Sequence, residues 1–194
     1  DRQEESKIHT HRLEALLLSA AKGYADADVS QYNLPVLDRW YGLSMSLLNR
    51  ELPESEIAAK KEQMSLQIAS ILPSAIVLSD DVFSLFCILP CSSDGEFDSF
   101  LTVLEQLGTD FSTWGFGTSK PRNGLGEIHT AYEEAARALR YRRAGVKGCV
   151  ILYQNIETLF SQSVSTVSES LSSILCLLTD PDTRNESAEQ LSET

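Results

Sequence analysis

Residues 114–153 read WGFGTSKPRNGLGEIHTAYEEAARALRYRRAGVKGCVILY, which is the most informative stretch of the sequence. It opens with a short aromatic and glycine run followed by a Gly/Pro/Asn loop, a pattern typical of a strand that ends in a turn. Apolar residues then recur at helical spacing from about Leu125 to Ala144, and a second apolar run at 148–153 predicts another strand. The order strand, loop, helix, turn, strand predicts a crossover unit whose helix packs on a sheet.

The first part of the chain predicts one helix followed by one strand. Apolar residues fall largely on one face of residues 1–22, and Gly23 is a natural stop for that helix. The alternating pattern of Trp40 to Leu48 then predicts a half-buried strand. Together these features predict a helical extension ahead of the first strand of a sheet.

The middle of the chain predicts a helix, a hairpin and a second helix. Ser55 is a good N-cap for a helix that runs to about Leu72. In residues 74–90 two apolar runs flank Asp80 and Asp81, which predicts a β-hairpin with the aspartates in its turn. A loop at Ser92–Gly95 leads into a helix that ends near Gly108, and a short strand follows at 112–117.

The predicted order β-α-β-β-α-β-α-β indicates an α+β fold (α/β mixed) with helices packed on a mixed sheet. Helical extensions are expected at both ends. Of the 194 residues 42% are hydrophobic and 23% charged, which is ordinary for a globular protein. The net charge of −12 argues against a nucleic-acid interface in this stretch, because phosphate binding needs clustered Lys and Arg.

Membrane, metal and catalytic functions find little support in the sequence. No window holds 18 uninterrupted apolar residues, so no membrane span is predicted. The three histidines form no ligand set, and no Ser-His-Asp arrangement follows from spacing. The four cysteines form no CxxC pair and are interpreted as buried thiols of a cytoplasmic protein, with no metal site: Cys87, Cys91, Cys149 and Cys176.

A seam of apolar residues lies near the end of the chain, on a segment otherwise rich in serine. Its members are spaced 4,3,4,3,4: Phe160, Val164, Val167, Leu171, Ile174 and Leu178. The spacing favours either a helix packed on its own domain or a coiled coil between two copies of the chain. Homodimerisation through this seam is therefore one prediction of the sequence.

The pattern AYEEAARAL at 131–139 resembles one that recurs in the GGDEF-like domains of bacterial transcription regulators of the AraC/YesN and PucR/CdaR types. These domains are degenerate relatives of diguanylate cyclases. The matching positions are Tyr132, Glu134, Ala135, Ala138 and Leu139. Its small residues are expected to let the helix lie close to the sheet.

The resemblance also implies where a cyclase would keep its catalytic residues, namely in the hairpin turn and on the first strand. The turn here is Ser79-Asp80-Asp81-Val82-Phe83, in which both glycines and the glutamate of the GGDEF sequence are replaced. The stretch Tyr41–Asn49 has no carboxylate where the family places a metal ligand. Because two-metal phosphoryl chemistry needs several converging carboxylates, no catalytic or cofactor-binding residue is expected.

The resemblance implies three parts: an N-terminal signal helix and linker at 1–36, a degenerate GGDEF-like domain at 37–155, and a C-terminal helix and acidic linker at 156–194. The chain begins at Asp1 and is expected to be a piece of a longer protein. The implied function is non-catalytic relay from an upstream sensor to a downstream helix-turn-helix domain that alone contacts DNA. The sensor would be either the receiver domain of a two-component system or a membrane-anchored extracellular domain.

The alternative implied function is a small-molecule or nucleotide sensor that uses the remnant cyclase cleft. Its candidate contacts are the turn residues Ser79, Asp80 and Asp81 together with a basic patch at the end of the helix. That patch consists of Arg137, Arg140, Arg142 and Arg143. Cations at a helix C-terminus are also favoured by the helix dipole, so the patch alone does not separate the two functions.

Overall fold

The computed structural model describes residues 2–24, 37–106, 113–141 and 150–157. The chain divides into two compact units, Asp1–Gln154 and Asn155–Thr194, and the helices and strands named below belong to the first. Cys149, Cys176, Arg142, Arg143 and the predicted seam at 160–178 lie outside the described residues.

The observed elements follow the predicted order after one N-terminal helix, which confirms the α+β fold class. They are α1 (Arg2–Ala21), β1 (Trp40–Leu47), α2 (Glu54–Ile71), β2 (Ile76–Ser79), β3 (Ser84–Pro90), α3 (Asp94–Gln106), β4 (Trp114–Thr118), α4 (Ile128–Arg140) and β5 (Val150–Leu152). A single 3-10 turn at Leu125–Glu127 leads into α4, so the regular helix begins three residues later than predicted. None of the helices in the described ranges combines the length and apolar character that a bilayer span requires.

One mixed sheet carries the five strands of the described ranges in the order β2-β3-β1-β4-β5. β1 lies at its centre, antiparallel to β3 from Trp40↔Pro90 to Ser46↔Ser84 and antiparallel to β4 up to Leu47↔Trp114. β4 and β5 are parallel, as expected for strands joined by a crossover helix. This pairing places the β2–β3 turn beside the carboxyl end of β1.

Helices cover both faces of the sheet. One face carries a core formed with α2 and α3, to which β1 contributes Leu43, Met45 and Leu47. The other carries a core formed with α1 and α4 around Trp40 and Phe86. The prediction that β1 is half buried is wrong, because all eight of its residues are buried. Its alternation is one of large and small side chains, not of buried and exposed ones.

The predicted N-cap of α2, Ser55, is wrong by two residues. Pro53 occupies the N-cap, no side chain caps the helix, and Ser55 lies inside the first turn. The Pro53 carbonyl accepts hydrogen bonds from the amides of Glu56 and Ile57. The predicted loop at 92–95 also ends early: α3 begins at Asp94, where the Ser93 hydroxyl accepts the Glu96 amide at 3.2 Å.

The contact between α4 and the sheet is closest at Gly117 of β4. A Cβ atom placed there would lie 2.3 Å from the Leu139 nitrogen and 2.4 Å from the Ala135 oxygen. Both are backbone atoms, which cannot move aside as a flexible side chain could. On the helix, Ala131, Ala135 and Ala138 are buried, which confirms the predicted packing role of its small residues.

We predict that Gly117→Ala lowers the free energy of unfolding by at least about 2 kcal/mol, since the added methyl overlaps the α4 backbone. Chemical denaturation of both proteins measures the change. Gly126→Ala is the matched control, because nothing lies within 4 Å of that position. Equal stabilities of the two variants would contradict the close contact.

A second prediction concerns Thr118, which is fully buried and whose hydroxyl has no hydrogen-bond partner. Burial of an unpaired hydroxyl costs about 1–3 kcal/mol. We therefore expect Thr118→Val, which keeps the side-chain shape, to raise the denaturation midpoint. Thr118→Ser keeps the hydroxyl, removes a buried methyl and should lower the midpoint; a valine variant less stable than wild type would refute the prediction.

Candidate functional site

The candidate site is built around the hairpin turn between β2 and β3. The Asp80 amide donates to the Ser84 carbonyl at 3.1 Å, and the Phe83 amide donates to Oδ1 of Asp81 at 2.7 Å. Asp80 and Asp81 thus lie in the turn that the sequence predicts. The side chain of Asp81 closes the turn locally, in the manner typical of aspartate in turns.

Asp80 connects the turn to two helices that are distant in sequence. Its Oδ1 lies 2.9 Å from the ammonium of Lys22, which also donates to the Asp80 carbonyl oxygen at 3.1 Å. The hydroxyl of Tyr132 lies 3.0 and 3.1 Å from the two carboxylate oxygens. Only 14% of the Asp80 side chain is exposed. We refer to Lys22, Asp80 and Tyr132 as the hairpin cluster.

The end of α1 brings Lys22 to the cluster. Gly23 follows with φ of +76°, and its amide donates to Ala20 while that of Tyr24 donates to Ser19. This pair of bonds is a Schellman cap, and it confirms the predicted stop at Gly23. The Ala21 carbonyl lies 2.9 Å from Nδ1 of His129; a carbonyl only accepts, so Nδ1 carries the hydrogen.

Tyr132 supplies the cluster with a neutral hydrogen-bond donor. Burial raises the pKa of its hydroxyl, and the charge of nearby Asp80 acts in the same direction. Its ring meets that of Phe86 edge-on, with centroids 5.2 Å apart. Tyr132 therefore stays protonated at neutral pH and donates to the carboxylate from a position fixed by packing.

Two cations hold the turn from its other sides. Lys61 of α2 donates to the Ser79 hydroxyl at 2.7 Å and to the Asp81 carbonyl. Burial lowers the pKa of Lys61, and the charges of Asp81 and Asp80 oppose that shift. The guanidinium of Arg50 lies 4.6 Å from the centre of the Phe83 ring, a cation–π contact at the base of the turn.

These contacts describe a turn whose acidic groups bond within the protein. Asp80 is neutralised by Lys22, one oxygen of Asp81 bonds the Phe83 amide, and β1 carries no carboxylate. In the described part of the chain, no three His, Cys, Asp or Glu side chains form a group that could hold a metal ion. The polar contacts of the hairpin cluster join the end of α1, the hairpin turn and α4.

The predicted basic patch lies elsewhere in the fold. Arg137 and Arg140 occupy the last turn of α4, and Arg137 donates to the Tyr153 hydroxyl, 3.4 Å away, just after β5. β5 and β2 are opposite edges of the sheet. The hairpin turn and Arg137 therefore contact different edges, and no described contact joins them.

The cysteines in the described residues are buried, free thiols, as predicted for Cys87 and Cys91. Burial raises the pKa of Cys91 to about 11, so its thiol is protonated at neutral pH. Neither has the character of a reactive thiolate.

Sequence reasoning missed Lys22 and the polar role of α4. Besides Tyr132, Glu134 projects from the sheet side of that helix, accepts the Lys120 amide at 3.0 Å and pairs with Arg122. In the sequence, the tyrosine and the glutamate stand beside alanines that face the sheet. Because buried polar groups require hydrogen bonds, such a position indicates that these two side chains have polar partners. Nothing local marks Lys22, which meets Asp80 across 58 positions.

The chain is similar to one protein family and to solved structures of known proteins. The family model described as GGDEF-like domain matches residues 46–141. Among solved structures, the GGDEF domain of DgcB from Caulobacter crescentus, in complex with c-di-GMP, is similar with a TM-score of 0.40 and 14% identity. That match covers 60% of this chain and 78% of that one. No curated protein matches the sequence.

The matched range begins at Ser46 in β1 and ends at Tyr141, just after α4. It contains the hairpin turn and the whole of the helix whose pattern resembles that of the regulators. Residues 46–141 of this chain are a GGDEF-like domain.

Proposed function

We propose that this chain is a non-catalytic signal-relay and dimerisation domain of a cytoplasmic bacterial transcription regulator of the AraC/YesN type. It would couple an upstream sensor to a downstream helix-turn-helix domain, which alone would contact DNA. The observation that carries the proposal is the bonding of Asp80 to Lys22 and Tyr132. The turn that serves nucleotide chemistry in a cyclase here ties the end of α1 to α4.

A route across the domain supports relay. His129 and Tyr132, near the start of α4, contact the end of α1 and the hairpin turn. Arg137, five positions further along α4, contacts Tyr153 where the chain leaves β5. One rigid helix thus touches both the entry and the exit of the unit. A displacement of α1 would be passed to the exit through packed elements.

The regulator context rests on the resemblance carried by Tyr132, Glu134 and the alanines of α4. A PucR/CdaR-type parent is the close alternative within the same class. In either parent, α1 would receive the input, and residues 156–194 would lead toward the DNA-binding domain.

A ligand sensor is the second candidate, favoured by the two cations Lys61 and Arg50 beside the turn. A shallow depression also lies between α2 and the start of β4, where Lys60, Met64 and Trp114 are among the residues that line it.

The relay proposal predicts that the chain is inert toward cyclase substrates. Incubation with GTP and Mg²⁺ should yield no cyclic di-GMP by chromatography, and calorimetric titration with GTP or cyclic di-GMP should give no heat of binding. A specific ligand would stabilise the fold by mass action, so the thermal midpoint should also stay constant.

Formation of cyclic di-GMP would refute the non-catalytic proposal. Micromolar binding without turnover would instead establish the sensor. The Arg50→Ala, Lys61→Ala double variant is the control, because it removes the two cations at the turn that do not belong to the hairpin cluster. It should abolish binding only if the ligand lies beside them.

The dimer part of the proposal predicts that Leu171→Asp abolishes self-association, since it places a charge in the apolar seam. The GGDEF-like domain should stay folded by circular dichroism. Ser172→Asp adds the same charge next to the seam position and should leave the dimer intact in sedimentation. A wild-type chain that sediments as a monomer would contradict dimerisation through this seam.

A further inference from the structure

We infer that the hairpin cluster is a latch: Lys22, Asp80 and Tyr132 hold the end of α1 on the hairpin turn, so that the turn responds to the position of α1. The inference rests on the proposed relay function and names the contact at which the relay begins. No nucleotide or metal takes part in it.

Lys22 is held by both the side chain and the backbone of the hairpin turn. Its ammonium bonds both the carboxylate and the backbone carbonyl of Asp80, at 2.9 and 3.1 Å. The Lys22 side chain is 30% exposed and that of Asp80 is 14% exposed. The ion pair is therefore shielded enough from water for its attraction to stabilise the helix end. It is also exposed enough to separate, since water can solvate both charges on release.

The apolar contact of α1 with the sheet lies toward the same end of the helix. Leu17, Ala20 and Ala21 are buried and Leu13 and Leu18 pack against the same core, whereas Thr10, His11 and Arg12 are exposed. The two residues directly before Lys22 are alanines, which bury little surface. The polar latch therefore adds to the apolar contact where that contact is thinnest.

Release of the latch would leave the turn itself closed. The bonds from the Asp80 amide to Ser84 and from the Phe83 amide to Asp81 do not involve Lys22. Tyr132 would keep its hydrogen bond to Asp80 while the carboxylate lost its counter-charge. Local opening of α1 without unfolding of the sheet is thus built into the arrangement.

Hydrogen–deuterium exchange of the whole chain tests the latch. Asp80→Asn removes the charge that holds Lys22, and we expect amide exchange in residues 17–24 to rise about tenfold while β1 and β3 stay protected. Asp81→Asn is the matched control: it removes the same charge one position away, from a side chain that bonds within the turn. The double reversal Lys22→Asp, Asp80→Lys should restore protection toward the wild-type level.

Unchanged exchange in Asp80→Asn, or an equal rise in Asp81→Asn, would overturn the latch. If Asp80→Asn also exposes β1, Lys22→Met decides, because it leaves the bond between Tyr132 and Asp80 in place. A rise confined to residues 17–24 in Lys22→Met supports the latch, and unchanged exchange there overturns it.

The hydrogen–deuterium exchange experiment and the assay of cyclic di-GMP formation test the latch and the relay proposal separately. Turnover of GTP with a positive exchange result would leave the latch standing and remove the non-catalytic relay. If the chain forms no cyclic di-GMP and amide exchange in residues 17–24 is unchanged in Asp80→Asn, the relay proposal stands but this contact is not part of it.

Discussion

The backbone contact between α4 and Gly117 fixes how close this helix lies to the sheet. At this distance even a methyl group does not fit between helix and strand. Side chains of a helix this close to a sheet can form hydrogen bonds with atoms at the sheet surface. Tyr132 meets the hairpin turn, Glu134 meets the amide of Lys120, and Arg137 meets Tyr153 from the same helix. With α4 a few ångströms higher, these three contacts would be lost together.

The carboxylate of Asp80 decides what the hairpin turn can bond. Glycine at this position would present bare backbone to its surroundings. A carboxylate repels phosphate but attracts an ammonium, and Lys22 supplies one from a helix that ends nearby. The Asp80 side chain therefore adds a bond between elements that the chain order keeps apart.

Periodicity predicted the element order and the hairpin, since these depend on residues close in sequence. It misjudged β1, because Ser44 and Ser46 look like solvent-facing residues and are in fact covered. The N-cap of α2 was predicted at Ser55, because serine is a common capping residue, and it lies two residues earlier at Pro53. The hairpin cluster could not be predicted, because a pairing over 58 positions leaves no local trace in the sequence.

The position of β1 has a consequence for how the chain is made. This strand is the first to be synthesised and the most enclosed, yet both of its neighbours come later: Trp40 pairs with Pro90, and Leu47 with Trp114. Until β3 and β4 emerge from the ribosome, its apolar side chains and both of its edges are unpaired. Strands that wait for distant partners fold slowly and are open to aggregation in the interval. A nascent chain that stalls before residue 114 would thus expose one edge of the strand around which the finished sheet is built.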